Sequence, residues 1–197
     1  MEPTILKGLY HSAQRCEARA TLGKPTDENI NPERVESKRS FAHPSVVAQS
    51  LGKILVHIVF STKERRPFLR DKSLREELHH YIGGILTNLE CQPIIVGGVE
   101  DHVHILCVLS RTGNAAEVIK EVKRGSSLWI KSKNPSLEDF AWQSGYGVFS
   151  IGFSQIESVR DYIAGQEEHH KRTSFQDEFR SLLKRYEIQF DERYLWD

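Results

Sequence analysis

The chain has 197 residues, in which 27 lysine and arginine residues balance 27 aspartate and glutamate residues, and 39% of the residues are hydrophobic. This length is enough for one well-packed domain or two small ones. Because the formal net charge is zero, a globally basic surface for nucleic acid is excluded, and any such interface must come from local basic patches.

The chain lacks the signals of a membrane or secreted protein. No apolar run approaches the roughly 18 residues of a membrane span, and the N-terminus, with Glu2, has no apolar signal core. We therefore expect a soluble, cytoplasmic protein without membrane contacts. Its three cysteines, Cys16, Cys91 and Cys107, have no C-x-x-C spacing, which argues against a disulfide framework or a cysteine zinc site.

The hydrophobic pattern divides the chain into three parts. Residues 1–50 contain few large apolar side chains, so they cannot bury enough surface to offset the entropy of ordering. We predict a disordered or irregular extension over residues 1–50, a folded domain over 51–185 and a C-terminal tail over 186–197.

The folded domain begins with an alternating β-branched segment around Ile54 to Phe60, which predicts a buried strand. Apolar residues then recur at helical spacing between positions 74 and 89. Residues 93–99 and 102–109 predict two strands paired in a hairpin, with a tight turn at 100–101. A second helix should cover about 115–130, although Gly125 interrupts its pattern.

Residues 146–152 predict a fourth strand. Ser154-x-x-Glu157 has the pattern of a capping box, which would open a third helix that runs to about Lys171. A shorter helix should begin near Ser174. The order β-α-β-β-α-β, followed by helices, predicts an α+β, ferredoxin-like fold with an antiparallel sheet and helices on one face.

Two histidines stand out on the third predicted strand. His102 and His104 are two residues apart, so their imidazoles project from the same face of the sheet. Two neutral imidazoles side by side make half of a divalent metal site, but histidines also pair and pack on half-exposed sheets. A third ligand from elsewhere in the chain is needed.

Tyr162 and Gln166 supply the second clue. They lie four residues apart, which places the phenol and the amide on one face of the third predicted helix. A helix that follows the last strand can offer this face to the histidines. Alternatively, Tyr162 is a core residue and Gln166 is solvated.

These residues carry a resemblance to a known family. Asp101-His102-Val103-His104, the segment Trp142-Gln143-Ser144-Gly145-Tyr146-Gly147-Val148-Phe149-Ser150, and Tyr162-Ile163-x-x-Gln166 before Glu167-Glu168-His169-His170 resemble the single-tyrosine HUH transposases. Within these, the chain is similar to the IS200-like transposases and closest to the REP-associated tyrosine transposases. The resemblance covers about residues 51–183.

The resemblance implies that His102, His104 and Gln166 bind a divalent metal, Mg²⁺ or Mn²⁺, and that Tyr162 is the nucleophile. A phenol with a pKa near ~10 is a poor nucleophile unless its target phosphate is polarised, which a metal can do. Attack on a DNA phosphodiester would give a covalent 5′-phosphotyrosine and a free 3′-hydroxyl. No nucleotide cofactor is expected, since the stored bond energy drives rejoining and no G-x-x-x-x-G-K-[ST] loop is present.

His169 and His170 are possible auxiliary residues, because they follow Gln166 closely enough to reach the same site. They could act as ligands or orient the leaving oxygen, or they could simply interact with a helix dipole.

Local basic residues would have to contact the DNA, because the net charge does not attract it. Lysine and arginine pair with phosphates, and tryptophan stacks on unpaired bases. The predicted DNA-binding set is Lys63, Arg65, Arg66, Lys120, Lys123, Arg124, Lys131 and Trp142. Each of these could also lie on an ordinary solvated surface, but together they favour single-stranded or hairpin DNA.

The resemblance also implies a homodimer, in which the tyrosine helix of one subunit can complete the histidine site of the other. Two alternatives to a transposase stay open. One is a metal-dependent phosphoesterase that forms no covalent intermediate, and the other is a non-catalytic nucleic-acid-binding module.

Overall fold

The structure is a computed structural model that describes residues 51–196, so the predicted N-terminal extension and Cys16 lie outside the described residues. The first strand, β1 (Leu55–Ser61), is buried along its whole length. On one face, Val56, Ile58 and Phe60 belong to a single core, and on the other face Leu55 and Val59 belong to two separate clusters. The sheet is therefore covered on both faces.

Three further strands, β2 (Gln92–Gly98), β3 (His102–Val108) and β4 (Gly147–Ser150), complete a four-stranded sheet in the order β2-β3-β1-β4. All neighbouring strands are antiparallel. Helix α1 (Lys72–Asn88) connects β1 to β2, and helix α2 (Ala115–Lys133) connects β3 to β4. This arrangement confirms the predicted ferredoxin-like fold.

Helices α1 and α2 pack together on the face that carries Val56, Ile58 and Phe60. Asp71 caps α1 by accepting a hydrogen bond from the backbone of Leu74. Helix α2 is continuous through Gly125, as predicted, although this glycine interrupts the apolar pattern. A Cβ at Gly125 would stand 2.9 Å from Cδ1 of Ile85, so this glycine allows the two helices to approach closely.

Three C-terminal helices, α3 (Ile156–Ala164), α4 (Gln166–His169) and α5 (Phe175–Arg185), follow the sheet. Helices α3 and α5 pack on the face opposite α1 and α2. Helix α3 lies so close to β2 that a Cβ at Gly97 would stand 2.7 Å from Cγ2 of Ile163. The glycine thus brings the tyrosine-bearing helix down onto the sheet.

Two details of the third helix were predicted wrongly. Ser154 does not cap it; a short 3-10 turn (Phe153–Gln155) precedes α3, and the side chain of Gln155 accepts a hydrogen bond from the backbone of Gly152 at 3.0 Å. The helix also does not run to Lys171, because Gly165, a weak helix former, separates α3 from α4.

The described part of the predicted tail is packed against the fold. Helix α5 begins after Ser174, as expected, and the hydroxyl of Ser174 accepts a hydrogen bond from the backbone of Asp177. Beyond it, Tyr186, Phe190, Leu195 and Trp196 pack against the core formed by α5, β1 and β4. Within residues 51–196, none of the helices has the length and apolar character needed to cross a membrane.

Candidate metal and nucleophile site

His102 and His104 lie on the sheet face that α3 and α5 cover, and neither side chain is exposed to solvent. In the antiparallel register, His102 pairs with Ser61 and His104 pairs with Val59 of β1. Paired residues of an antiparallel ladder share a face, so both imidazoles point toward the C-terminal helices.

A hydrogen bond holds the Nδ1 atom of each histidine. His102 Nδ1 lies 2.7 Å from Oδ1 of Asp101, and His104 Nδ1 lies 2.9 Å from Nε2 of His57. Such hydrogen bonds to Nδ1 fix the orientation and the tautomer of a histidine that binds a metal through Nε2. When both Nδ1 atoms carry the proton, both Nε2 atoms have a free lone pair.

His57 was not predicted as a site residue. Its side chain is buried, and burial together with the neighbouring His104 lowers the pKa of His57 to about 3. Burial also lowers the pKa of His104 to about 4, so both imidazoles are neutral near pH 7, the form that binds metals. The sequence does show a histidine, His57, within an otherwise apolar strand. Only the register of β1 and β3 shows that His57 contacts His104.

Replacing His57 should weaken metal binding without unfolding the domain. In His57→Phe, the ring still fills the buried space, but His104 Nδ1 loses its partner, so the affinity for Mn²⁺ should fall roughly 10- to 100-fold. His57→Gln, which keeps an acceptor oxygen, should recover part of the loss. Calorimetric titration with Mn²⁺ checks this, and equal affinity in His57→Phe and the unmodified protein would contradict it.

Gln166 and Tyr162 both reach this face of the sheet. The side chain of Gln166 is buried, and its Oε1 lies 3.3 Å from Nε2 of His102. The ring of Tyr162 lies 5.8 Å from that of His104, centroid to centroid. The phenol donates a hydrogen bond to Oε1 of Glu178. Burial and the adjacent Glu178 raise the pKa of Tyr162 well above its usual value.

The two auxiliary histidines also enter the cluster. His170 Nε2 lies 2.9 Å from Oε1 of Gln166, and its Nδ1 lies 2.8 Å from the backbone oxygen of Thr173. His169 Nε2 lies 3.3 Å from Oε1 of Glu178. The structure therefore brings His102, His104, Tyr162, Gln166, His169 and His170 together.

Glu178, on α5, is the second site residue that the sequence analysis missed. Its side chain is 3% exposed, and its Oε2 lies 3.4 Å from Nε2 of His104 and 3.2 Å from Nε2 of His170. Burial alone would raise the pKa of Glu178, but the adjacent His104 and His170 and the hydrogen bond from Tyr162 hold that pKa far below its usual range. The sequence feature that could have identified Glu178 is its position as a charged residue on the apolar face of a predicted helix.

The residues present fit a divalent cation. One ligand atom from each of His102, His104, His170 and Glu178 lies within 4.8 Å of all the others. Among the described residues, Nε2 of His104 and Oε2 of Glu178 are buried without a hydrogen-bond partner. Buried polar atoms are normally satisfied, so this pair suits an ion.

The cluster is assembled within one chain. Helix α3, which carries Tyr162, contacts β2 and β3 of the same subunit. Exchange of the tyrosine helix between subunits, which the resemblance allows, is therefore not needed to bring Tyr162 to the histidines.

The predicted DNA-binding residues are spread over several places. Lys63 and Arg66 are exposed on the loop after β1, and Arg65, on the same loop, lines a cleft of about 620 Å³ beside the cluster, together with His170, Lys171 and Phe175. The other exposed members of the predicted set lie on α2, on the face of the sheet opposite the cluster. They are Lys120, Arg124 and Lys131.

Two members of the predicted set make contacts within the fold. Nζ of Lys123 donates hydrogen bonds to the backbone oxygens of residues 143–145. Trp142 is buried, its Nε1 donates to Oγ of Ser126 at 2.8 Å, and its ring packs edge-on against Phe60 and Phe140. In this structure, the core surrounds the indole of Trp142, and the loop binds the ammonium group of Lys123.

Trp142→Ala should test that assignment. Removal of a buried tryptophan leaves a cavity, so the free energy of unfolding should fall by about 3–5 kcal/mol. Chemical denaturation measures this change. A variant that keeps full stability but loses affinity for single-stranded DNA would instead identify Trp142 as a base-stacking residue.

Comparisons with known proteins bear on the identity of the chain. The model of the IS200-like transposase family matches residues 50–166, which is more than half of the sequence. Among solved structures, a candidate transposase from Deinococcus radiodurans R1 shares 21% identity, covering 61% of this chain and 95% of that one, with a TM-score of 0.48.

A REP-associated tyrosine transposase bound to a REP hairpin shares 16% identity, covering 64% of this chain and 74% of that one, also with a TM-score of 0.48. A search of curated proteins gives no match. The family match includes His102, His104, Tyr162 and Gln166, and it confirms the resemblance seen in the sequence. The chain belongs to the IS200-like transposase family.

Proposed function

We propose that this transposase nicks and rejoins single-stranded or hairpin DNA through a covalent 5′-phosphotyrosine on Tyr162, with Mg²⁺ or Mn²⁺ held at His102 and His104. The observation that carries the proposal is the convergence of a phenol and two oriented imidazoles on one buried cluster. Gln166, with Oε1 beside His102, remains the proposed third ligand.

The reaction breaks one phosphodiester bond and forms another. Tyr162 Oη attacks the phosphorus, and the bond between the phosphorus and the 3′-oxygen breaks. The 3′-oxygen then takes a proton from solvent and becomes a 3′-hydroxyl. Oε1 of Glu178, which accepts a hydrogen bond from the phenol, orients the hydroxyl, and the phenolic proton is released to solvent. A bound divalent cation would polarise the phosphate and offset the negative charge that develops nearby.

The high pKa of Tyr162 makes a cation useful. Burial and the carboxylate of Glu178 both disfavour the phenolate, so the free protein keeps the phenol protonated at neutral pH. A positive charge beside the phenol acts in the opposite direction, because it favours the charged form of an acid.

DNA would enter through the cleft beside His170. Arg65 and Lys171 lie along this cleft, and we keep Lys63 and Arg66, on the same loop as Arg65, as phosphate contacts. Lys120, Arg124 and Lys131 are proposed as more distant contacts for a longer or folded substrate. One solved structure with detectable similarity is a REP-associated tyrosine transposase with a REP hairpin bound, which makes a hairpin a suitable first substrate.

The test is incubation of the full chain with an end-labelled single-stranded hairpin and Mn²⁺, followed by denaturing electrophoresis and mass spectrometry of crosslinked peptides. We expect a metal-dependent protein–DNA adduct on the peptide containing Tyr162. Metal-dependent cleavage without an adduct would contradict the proposal and favour a phosphoesterase. The expected homodimer is checked separately, by light scattering after gel filtration.

A further inference from the structure

Glu178 occupies an unusual place for a carboxylate. Its side chain is 3% exposed, and it lies on the same side of α5 as the buried Phe175, Phe179 and Leu182. A buried, ionised carboxylate costs several kcal/mol unless positive charge or a metal compensates it. The ion-pair contacts that the structure gives it are all with histidines: His102, His104, His169 and His170.

The two oxygens of Glu178 have different surroundings. Oε1 accepts hydrogen bonds from the phenol of Tyr162 and from Nε2 of Gln166, the latter at 2.9 Å. Among residues 51–196, Oε2 has no hydrogen-bond partner. It lies 3.2 Å from Nε2 of His170, 3.4 Å from Nε2 of His104 and 3.9 Å from Nε2 of His102.

The Nδ1 contact of His102 indicates what its imidazole presents to Oε2. Nδ1 of His102 contacts the carboxylate of Asp101. In the metal-binding form an imidazole carries one proton, and this acceptor favours its location on Nδ1. Nε2 of His102 then presents a lone pair toward another acceptor, Oε2, and a cation between them would satisfy both.

We propose that Glu178 is itself a ligand of the divalent cation, binding it through Oε2 beside the imidazoles of His102 and His104. This inference rests on the proposed function, because it concerns the same ion. It assigns the ion a carboxylate from α5, in addition to the histidines and Gln166. The distances among the candidate ligand atoms, all within 4.8 Å, are compatible with a single ion that draws them together.

The carboxylate also affects which ion binds. Two neutral imidazoles and an amide carry no net charge, and imidazole ligands suit zinc, copper and nickel well. Mg²⁺ and Mn²⁺ are harder cations that prefer oxygen ligands. An anionic oxygen from Glu178 therefore shifts the site toward the ions that phosphoryl-transfer enzymes use.

The same side chain then connects the ion to the nucleophile. If Oε2 binds the cation while Oε1 accepts the hydrogen bond from Tyr162, the carboxylate of Glu178 lies between the nucleophile and the metal. Its second hydrogen bond, from Gln166, holds the orientation of the carboxylate. Helix α5 is thus part of the active site as well as a cover for the sheet.

The experiment is a calorimetric titration of the full-length protein with Mn²⁺ in the absence of DNA, for the unmodified chain, Glu178→Gln and Glu168→Gln. Glu168 is 63% exposed and pairs with Lys171, so its variant removes the same charge outside the cluster. We expect Glu178→Gln to bind Mn²⁺ at least about tenfold more weakly, or about 1.4 kcal/mol, and Glu168→Gln to bind it normally.

A second readout separates a ligand from a residue that only supports the fold. The visible absorption of bound Co²⁺ depends on its ligands, so it should change in Glu178→Gln and in Glu178→Asp, which keeps the charge but shortens the side chain. Glu178→Asp also keeps the test valid if Glu178→Gln does not fold. A spectrum identical to that of the unmodified protein in these variants would overturn the inference.

The outcomes also separate this inference from the proposed function. If the unmodified protein binds no Mn²⁺, the metal-dependent function itself fails. If the unmodified protein binds Mn²⁺ and Glu178→Gln binds it equally or more tightly, only the role of Glu178 fails. Tighter binding would mean that the carboxylate competes with the ion for the histidines.

Discussion

Tyr162→Phe should abolish formation of the covalent protein–DNA adduct. The variant keeps the aromatic ring beside His104 and His57 but removes the only atom of the side chain that can bond to phosphorus. Loss of a covalent nucleophile lowers the rate by roughly 10⁴-fold or more, so no adduct should be visible on a denaturing gel. Binding of hairpin DNA, measured by fluorescence anisotropy, should be retained.

The control for this variant is its stability. Tyr162→Phe loses one hydrogen bond to Glu178, which changes the free energy of unfolding by about 1 kcal/mol. Thermal unfolding should therefore show a folded protein. An adduct that persists in Tyr162→Phe would refute the nucleophile, and cleavage at the normal rate without any adduct would favour the metal-dependent phosphoesterase.

His102→Ala and His104→Ala should each lose both DNA cleavage and metal binding. Each variant deletes an imidazole whose Nε2 faces the cluster. Loss of a residue that only hydrogen-bonds to a metal ligand costs roughly 10- to 100-fold in metal affinity, so we expect a loss of at least about 100-fold when a ligand itself is removed. Calorimetric titration with Mn²⁺ and a cleavage assay over a range of Mn²⁺ concentrations check this.

The matched control is His80→Ala, because His80 is exposed on α1 and contacts only the backbone oxygen of Glu76 among the hydrogen bonds described. Since His104 is fully buried, His104→Phe serves as a second variant that fills the space without a nitrogen ligand. Normal Mn²⁺ affinity and full cleavage in both alanine variants would exclude the histidines as ligands.

The sequence predicted well those features that depend on local periodicity. Alternation identified β1 and β3, and helical spacing identified α1 and α2, each within a few residues of the observed bounds. The same two-residue period placed His102 and His104 on one face of the sheet. Errors arose at helix ends, where the turn at Gly152 and the break at Gly165 depend on particular contacts of residues 152–165.

The DNA-binding set shows the limit of residue type as a guide. Lys123 and Trp142 have the chemistry expected at a DNA surface, yet one holds a loop through backbone oxygens and the other fills a core. Basic and aromatic side chains serve both purposes, and only burial and contacts distinguish them. Arg65, which has the same chemistry as the rest of the set, does lie along the cleft beside His170.

By itself, the sequence determined the order of strands and helices and the family, and it predicted a site at His102, His104, Tyr162 and Gln166, four residues that the structure brings together. Only the tertiary structure placed His57 against His104, 47 residues away in the chain, and Glu178 between the histidines and the phenol. The physical reason is that periodicity defines which face a side chain occupies. The partner across that face depends on strand register and on how α5 docks, which are set by packing between distant segments.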